Sequence, residues 1–121
     1  MAVTVIVDIA EPLAEGSDYL VEATLVGPDG ETPVEPGAVA TITATLRSLE
    51  GGGVLIFENR DVLAYLGSGG EFSMPLTNTD TVTIAGEPRF QRRQLTIEMV
   101  QTNGKARNHA VRFAVENLVD V

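Results

Sequence analysis

The sequence contains no cysteine and no tryptophan, a single histidine, and only two tyrosines and four phenylalanines in 121 residues. Without cysteine there are no disulfides and no thiolate metal sites, and redox compartment leaves no trace in the chain. One histidine means that a Ser-His-Asp triad has to use His109 as its base, and that no histidine pair exists to hold a metal. The absence of tryptophan removes the best platform for stacking on a sugar face, leaving Tyr19 and Tyr65. Long apolar runs are missing too. Val54-Leu55-Ile56-Phe57 is among the longest, far below the ~20 residues of a membrane helix. The first residues carry no basic segment ahead of an apolar core, so the reading is a soluble, unsecreted chain with no membrane partner.

Basic residues are scarce as well. Eight Lys and Arg stand against seventeen Asp and Glu, a formal net charge of −9, which argues against nucleic acid as a partner because phosphate affinity needs clustered cations. The distribution is uneven. Residues 1–46 hold Asp8, Glu11, Glu15, Asp18, Glu22, Asp29, Glu31 and Glu35 and no cation, whereas residues 89–112 hold Arg89, Arg92, Arg93, Lys105, Arg107 and Arg112 against Glu98. Two arrangements account for this. Either the first and last strands lie side by side and partly neutralise one another, or an acidic face of one copy meets a basic face of the next, where complementary potentials steer and register assembly. The preference for Arg over Lys suits bidentate interface pairs.

What is present is strand grammar. Val3, Val5, Val7 and Ile9 alternate with Thr4, Ile6 and Asp8, and Tyr19, Val21, Ala23 and Leu25 with Leu20, Glu22, Thr24 and Val26, a run that stops at Gly27-Pro28-Asp29-Gly30. A polar stretch with Pro33 and Pro36 reads as a surface loop. Period two is clearest where Ala40, Ile42, Ala44 and Leu46 face one way and Thr41, Thr43, Thr45 and Arg47 the other. After Gly51-Gly52-Gly53, residues 54–57 read as a short buried strand, and 58–66 as a loop, helical turn or irregular edge. Phe72, Met74 and Leu76 share a face, with Pro75 demanding a sheet edge. Thr77 to Asp80 is turn chemistry, 81–84 read as another short strand, and Gly86-Glu87-Pro88 breaks the chain. Finally Asn103-Gly104 sits between two alternating runs and predicts a two-residue type I′ hairpin.

Short strands punctuated by Gly and Pro, with no sustained helical period, predict an all-β fold: one immunoglobulin-like antiparallel β-sandwich of about seven strands over residues 1–121. At this length the chain buries roughly two-thirds of its unfolded surface without staples. No constellation points to catalysis or to a cofactor. His109, in phase with Val111 and Phe113, reads as a packing or interface residue. Asp29-Gly30-Glu31 and Glu58-Asn59-Arg60-Asp61 supply oxygens but match no calcium loop, and the glycine clusters at 51–53 and 67–70 lack the Lys-Ser/Thr ending of a phosphate loop.

Residues Asn59-Arg60-Asp61-Val62-Leu63, the segment Gly69 to Thr81, Gln94 to Glu98 and His109 to Leu118 together resemble small immunoglobulin-like virion proteins of tailed bacteriophages. Those proteins carry a Gly-x-Phe-x-x-x-Leu-x-x-x-Asp segment, here Gly70 to Asp80, and a closing His-x-x-x-Phe-x-Val-x-Asn-Leu strand, here His109 to Leu118. The match spans residues 55–118 loosely, and Asn78 and Thr79 stand where Ser or Pro is usual. The resemblance implies a non-catalytic structural subunit of the virion, assembled in the host cytoplasm. Its partners would be copies of itself and portal, connector, tail or capsid subunits, in the neck or tail or as head decoration. A non-viral adhesion or carbohydrate-binding sandwich is the alternative. The contact candidates are Glu31, Glu35, Arg60, Arg89, Arg92, Arg93, Arg107 and Arg112, with the 27–37 loop and the 50–70 region as the contacting segments.

Overall fold

The computed structural model describes the backbone of residues 4–8 and, in full, residues 13–14, 16, 18–27, 31–50, 53–81, 83 and 89–116. Among the described residues eight strands run in the order β1 (Thr4–Asp8), β2 (Leu13–Ala14), β3 (Tyr19–Thr24), β4 (Val39–Ser48), β5 (Leu55–Asp61), β6 (Glu71–Leu76), β7 (Phe90–Gln101) and β8 (Ala106–Glu116). The larger sheet has the order β1-β8-β7-β4-β5, with β2 also paired to β8, and the smaller pairs β3 with β6. This is an all-β sandwich of the expected immunoglobulin-like kind. Strands β3, β4, β6, β7 and β8 occupy the B, C, E, F and G places, and β5 takes that of the extra C′ strand.

The register is antiparallel throughout except at one edge. There β1 and β2 lie parallel to β8, with Thr4 opposite Asn108, Asp8 opposite Arg112 and Leu13 opposite Val115. The sheet is therefore mixed, and the acidic beginning of the chain runs beside its basic end. Connectivity permits the parallel course, since β1 and β8 are remote in sequence and no tight hairpin joins them.

Alternation fills the gap between the sheets. Ile42, Ala44 and Leu46 of β4, Leu95, Ile97 and Met99 of β7, and Val111, Phe113 and Val115 of β8 meet Val21, Phe72, Met74 and Leu76 from the small sheet. Ala40 leaves this row. The β4–β7 register shifts between Val39 and Thr41, so Val39 turns inward and Ala40 outward. Residues 54–57 are not a buried strand as expected. Leu55 to Phe57 open β5, the outer strand of the large sheet; Val54 and Leu55 are exposed, and Ile56 and Phe57 pack half-buried against the core. The strand continues to Asp61 and is followed by a 3₁₀ turn at Leu63–Tyr65. Pro75 does sit where its missing N–H is harmless, because β6 has β3 as its one neighbour among the described strands.

The last hairpin forms with different turn chemistry. Gly104 N–H donates to Gln101 O (2.9 Å) and Gln101 N–H to Lys105 O (2.8 Å), which closes a three-residue loop. Gly104 has φ +86° while Asn103 has negative φ, so the type I′ expectation fails: that turn needs both residues left-handed. Asn103 instead turns its Oδ1 to accept from Lys105 N–H at 3.0 Å, the local bond that suits Asn to turns. The Thr77–Asp80 turn is present, Asp80 N–H donating to Thr77 O. Pro28, Asp29 and Gly30, most of the expected 81–84 strand, the 86–88 break, and the faces of the first strand lie outside the described residues.

Candidate functional site

Three connections meet at one end of the sandwich: residues 25–38 after β3, residues 62–70 after β5, and the β7–β8 turn. Backbone bonds fix them together. Leu25 N–H donates to Gly70 O, Val34 N–H to Leu25 O, and Thr102 N–H to Ala38 O, at 2.9, 3.0 and 2.9 Å. The first of these crossings requires glycine. Gly70 has φ +74°, and a Cβ there would stand 2.6 Å from Leu25 O. Next to it, Gly69 N–H is shared by both carboxylate oxygens of Glu35 at 3.1 and 3.0 Å, tying the 25–38 loop to the 67–70 segment.

Between the loop and the turn lies a cleft of about 510 Å³. Gly27, Pro33, Val34 and Ala38 supply its apolar lining, and Thr32, Glu35, Gln101, Asn103 and Lys105 bring polar groups to it. The loop wall thus carries a carboxylate and the turn wall an ammonium. The cleft holds no histidine, and among the described residues no group of three or more His, Asp or Glu is placed to hold a metal ion.

His109 lies near this end, inside the sandwich, and is buried. Its Nε2 accepts a hydrogen bond from Val26 N–H at 3.1 Å, pinning the start of the 25–38 loop to β8. An accepting Nε2 places the proton on Nδ1, which has no hydrogen-bond partner. Burial, assisted by the neighbouring Arg107 charge, pushes the imidazole down to about 4. A neutral imidazole bonded to backbone is a packing residue, as its phase with Val111 and Phe113 suggests.

The eight contact candidates scatter. Glu31 and Glu35 belong to the loop end and are exposed. Arg60 leaves β5 to place both terminal nitrogens on Asp80, each at 3.0 Å, and its guanidinium lies 3.7 Å above the Phe57 ring. Burial raises the Asp80 carboxyl, but the Arg60 and Thr77 hydrogen bonds outweigh it and hold the group below the usual carboxylate range. At the opposite end, Arg89 pairs with Glu116 at 2.7 Å and Arg92 with Glu50 at 3.0 Å. The Arg92 hydrogen bonds hold the Glu50 carboxyl low. Arg112 is exposed and donates to Gln94 Oε1 at 3.0 Å.

Arg93 and Arg107 are interior residues, with 0% and 3% of their surface exposed. These two candidates are therefore not presented at the surface. Arg93 shares its inward phase with Leu95, Ile97 and Met99, and its Nη2 donates to Gln91 Oε1 at 2.8 Å. Period two carries that signal in the sequence itself: an Arg-Arg doublet inside a strand sends one guanidinium outward and the other into the core. Gln101, Asn103 and Lys105 join the cleft without having stood out as site residues, because only the sheet order brings their turn against residues 32–38.

The sequence matches no protein-family model and no curated protein.

Proposed function

We propose that this chain is a non-catalytic structural subunit that docks protein partners through the cleft at the loop end of its sandwich. The observation that carries the reading is the make-up of that cleft: apolar Pro33, Val34 and Ala38 beside the hydrogen-bonding groups of Thr32, Gln101 and Asn103, with Glu35 contributed by the loop and Lys105 by the turn. Such a surface buries an apolar side chain of a partner segment and fixes its direction through two opposite charges. Loops carried on a rigid sandwich are the usual place for recognition, since the sheets hold them while their sequence varies. Three backbone bonds and the Glu35–Gly69 contact hold the walls before any partner arrives, which lowers the ordering entropy of docking.

The resemblance over residues 55–118 supports a more specific address, a virion protein of a tailed bacteriophage in the neck, connector or tail region, with head decoration as the other position. Its partners there are portal, connector, tail or capsid subunits and further copies of itself. A carbohydrate-binding role draws less support, because neither tyrosine lines the cleft.

Co-expression with the portal, connector and capsid products of neighbouring genes tests both levels. A complex is expected on gel filtration with at least one of them, and Lys105→Glu or Ala38→Arg should abolish it while leaving the circular dichroism spectrum unchanged. Equal binding by both variants rejects the cleft. Particles that lack the chain by mass spectrometry reject the virion address.

A further inference from the structure

The two outer faces of the sandwich differ in charge. On the large sheet, Arg47, Gln94 and Arg112 stand in one row across β4, β7 and β8, and Arg92 follows one step further along β7. Arg47 and Arg112 donate to neutral acceptors, Gly53 O and Gln94 Oε1, so neither cation is matched by a carboxylate among the described residues. Around them lie Phe90, Leu55 and Leu49, which expose 49, 42 and 38% of their surface. Exposed aromatic and aliphatic groups interleaved with arginine are the composition of an interface core, in a chain whose net charge is −9. Of the acids of that sheet, Glu98, Glu58 and Asp61 belong to its other half and its β5 edge, Glu116 is taken by Arg89, and Asp8 of β1 stands opposite Arg112 in the register, at the far end of the row from Arg47.

The small sheet presents the complement. Its outward residues Leu20, Glu22, Thr24, Glu71 and Ser73 include two carboxylates and no cation, and β3 and β6 contain no Lys or Arg at all. Leu20, 49% exposed, supplies an apolar contact beside Pro75, its register partner.

We infer that the basic face around Arg47 and Arg112 docks on the acidic face around Glu22 and Glu71 of a second copy of this chain. The faces are on opposite sides of one sandwich, so the contact is head-to-tail and propagates copies into a ring or an open stack. The small sheet limits the footprint. Two strands of six residues cover roughly 20 by 10 Å, far below the ~800 Å² per partner of a stable pair. Each contact is therefore weak alone and becomes effective where symmetry repeats it. This deepens the reading of the chain as a structural subunit and rests on it, but uses a surface separate from the cleft.

Sedimentation of the intact chain at ~1 mM tests the inference, because screening shortens from ~10 Å at 0.1 M salt to ~3 Å at 1 M. Association is expected at the lower salt and should weaken about tenfold at the higher. The doubly substituted Arg47→Glu, Arg112→Glu protein and the Glu22→Arg, Glu71→Arg protein should each remain monomeric. Their equimolar mixture should associate, since each supplies the intact face the other has lost, and this rescue also reports that both are folded. A wild-type chain monomeric throughout, association indifferent to salt, loss in the arginine variant alone, or a mixture that stays monomeric overturns the stacking. None of these outcomes bears on partner capture by the cleft, which the Lys105 and Ala38 variants test separately.

Discussion

Arg60 and Asp80, twenty residues apart, close the sandwich from the side: a guanidinium from the outer strand of the large sheet forks onto a carboxylate in the turn that follows β6 of the small one. The carboxylate is buried, with 4% of its side chain exposed, whereas the Arg60 side chain is 39% exposed. Asp80 also accepts from Thr77 N–H and Oγ1–H on Oδ2, at 2.9 and 3.2 Å, so both carboxylate oxygens have protein donors. Removing the arginine strands a charge in the interior, moderated by the solvent that reaches Arg60. Arg60→Ala should cost about 1–3 kcal/mol, read from the urea midpoint, and Arg60→Lys should recover only part because an ammonium cannot fork.

The same pair sets the response to acid. Folding holds the Asp80 carboxyl below its unfolded value, so its contribution is complete above pH 3.8 and is lost as the pH falls through the lowered folded value. Acid unfolding of the Arg60→Ala protein should begin at higher pH than that of the wild type. Coincident acid transitions would show that the ion pair contributes nothing.

His109 acts in a separate window. Its folded value of about 4 lies below the ordinary 6.5, so the neutral imidazole stabilises fully above pH 6.5. That stability declines as the pH falls from 6.5 toward 4 and is gone below both values. The loss amounts to about 3 kcal/mol. Urea midpoints at pH 7.5 and 4.5 should differ accordingly, and His109→Gln, which keeps an acceptor for Val26 N–H and does not titrate, should flatten the difference.

Adjacent glycines should respond differently to alanine. Both Gly69 and Gly70 are left-handed, but a Cβ on Gly69 meets open space while one on Gly70 meets the Leu25 carbonyl. Gly69→Ala should cost about 1 kcal/mol for its backbone alone. Gly70→Ala should cost about 3 kcal/mol or more, because backbone has to move as well. Thermal denaturation distinguishes the two, and equal losses would contradict the close approach.

The hairpin turn gives a comparable pair. Gly104→Ala should cost about 1 kcal/mol because φ is +86° there. Asn103→Ala should lose only its bond to Lys105 N–H, about 0.5–1 kcal/mol. If the Asn103 change proved the costlier, a left-handed Asn103 would be implied.

Alternation made most of this architecture legible. Ile42, Ala44 and Leu46 on β4 and Phe72, Met74 and Leu76 on β6 are buried as their spacing indicates, because period two is a local property of extended chain. Features that depend on which strands become neighbours were not legible. Residues 54–57 are apolar enough for a core strand, yet β5 has no neighbour beyond it among the described strands, so Val54 and Leu55 stay exposed. The bulge at Ala40 reverses one residue within a correct strand. The cleft joins residues 32–38 to 101–105, a proximity set by sheet order alone. Arg93 was legible in principle, since its inward phase is written in the strand, but a charged doublet suggests surface before phase is counted.

The parallel edge has a mechanical consequence. β1 begins at the loop end, where β8 also begins, and the two advance together from Thr4 beside Asn108 to Asp8 beside Arg112. Tension applied ahead of β1 and behind β8 pulls these strands past each other lengthwise, loading their interstrand bonds in shear and together instead of unzipping them one at a time. The direction of pull along the chain is thus the one in which this edge yields least readily.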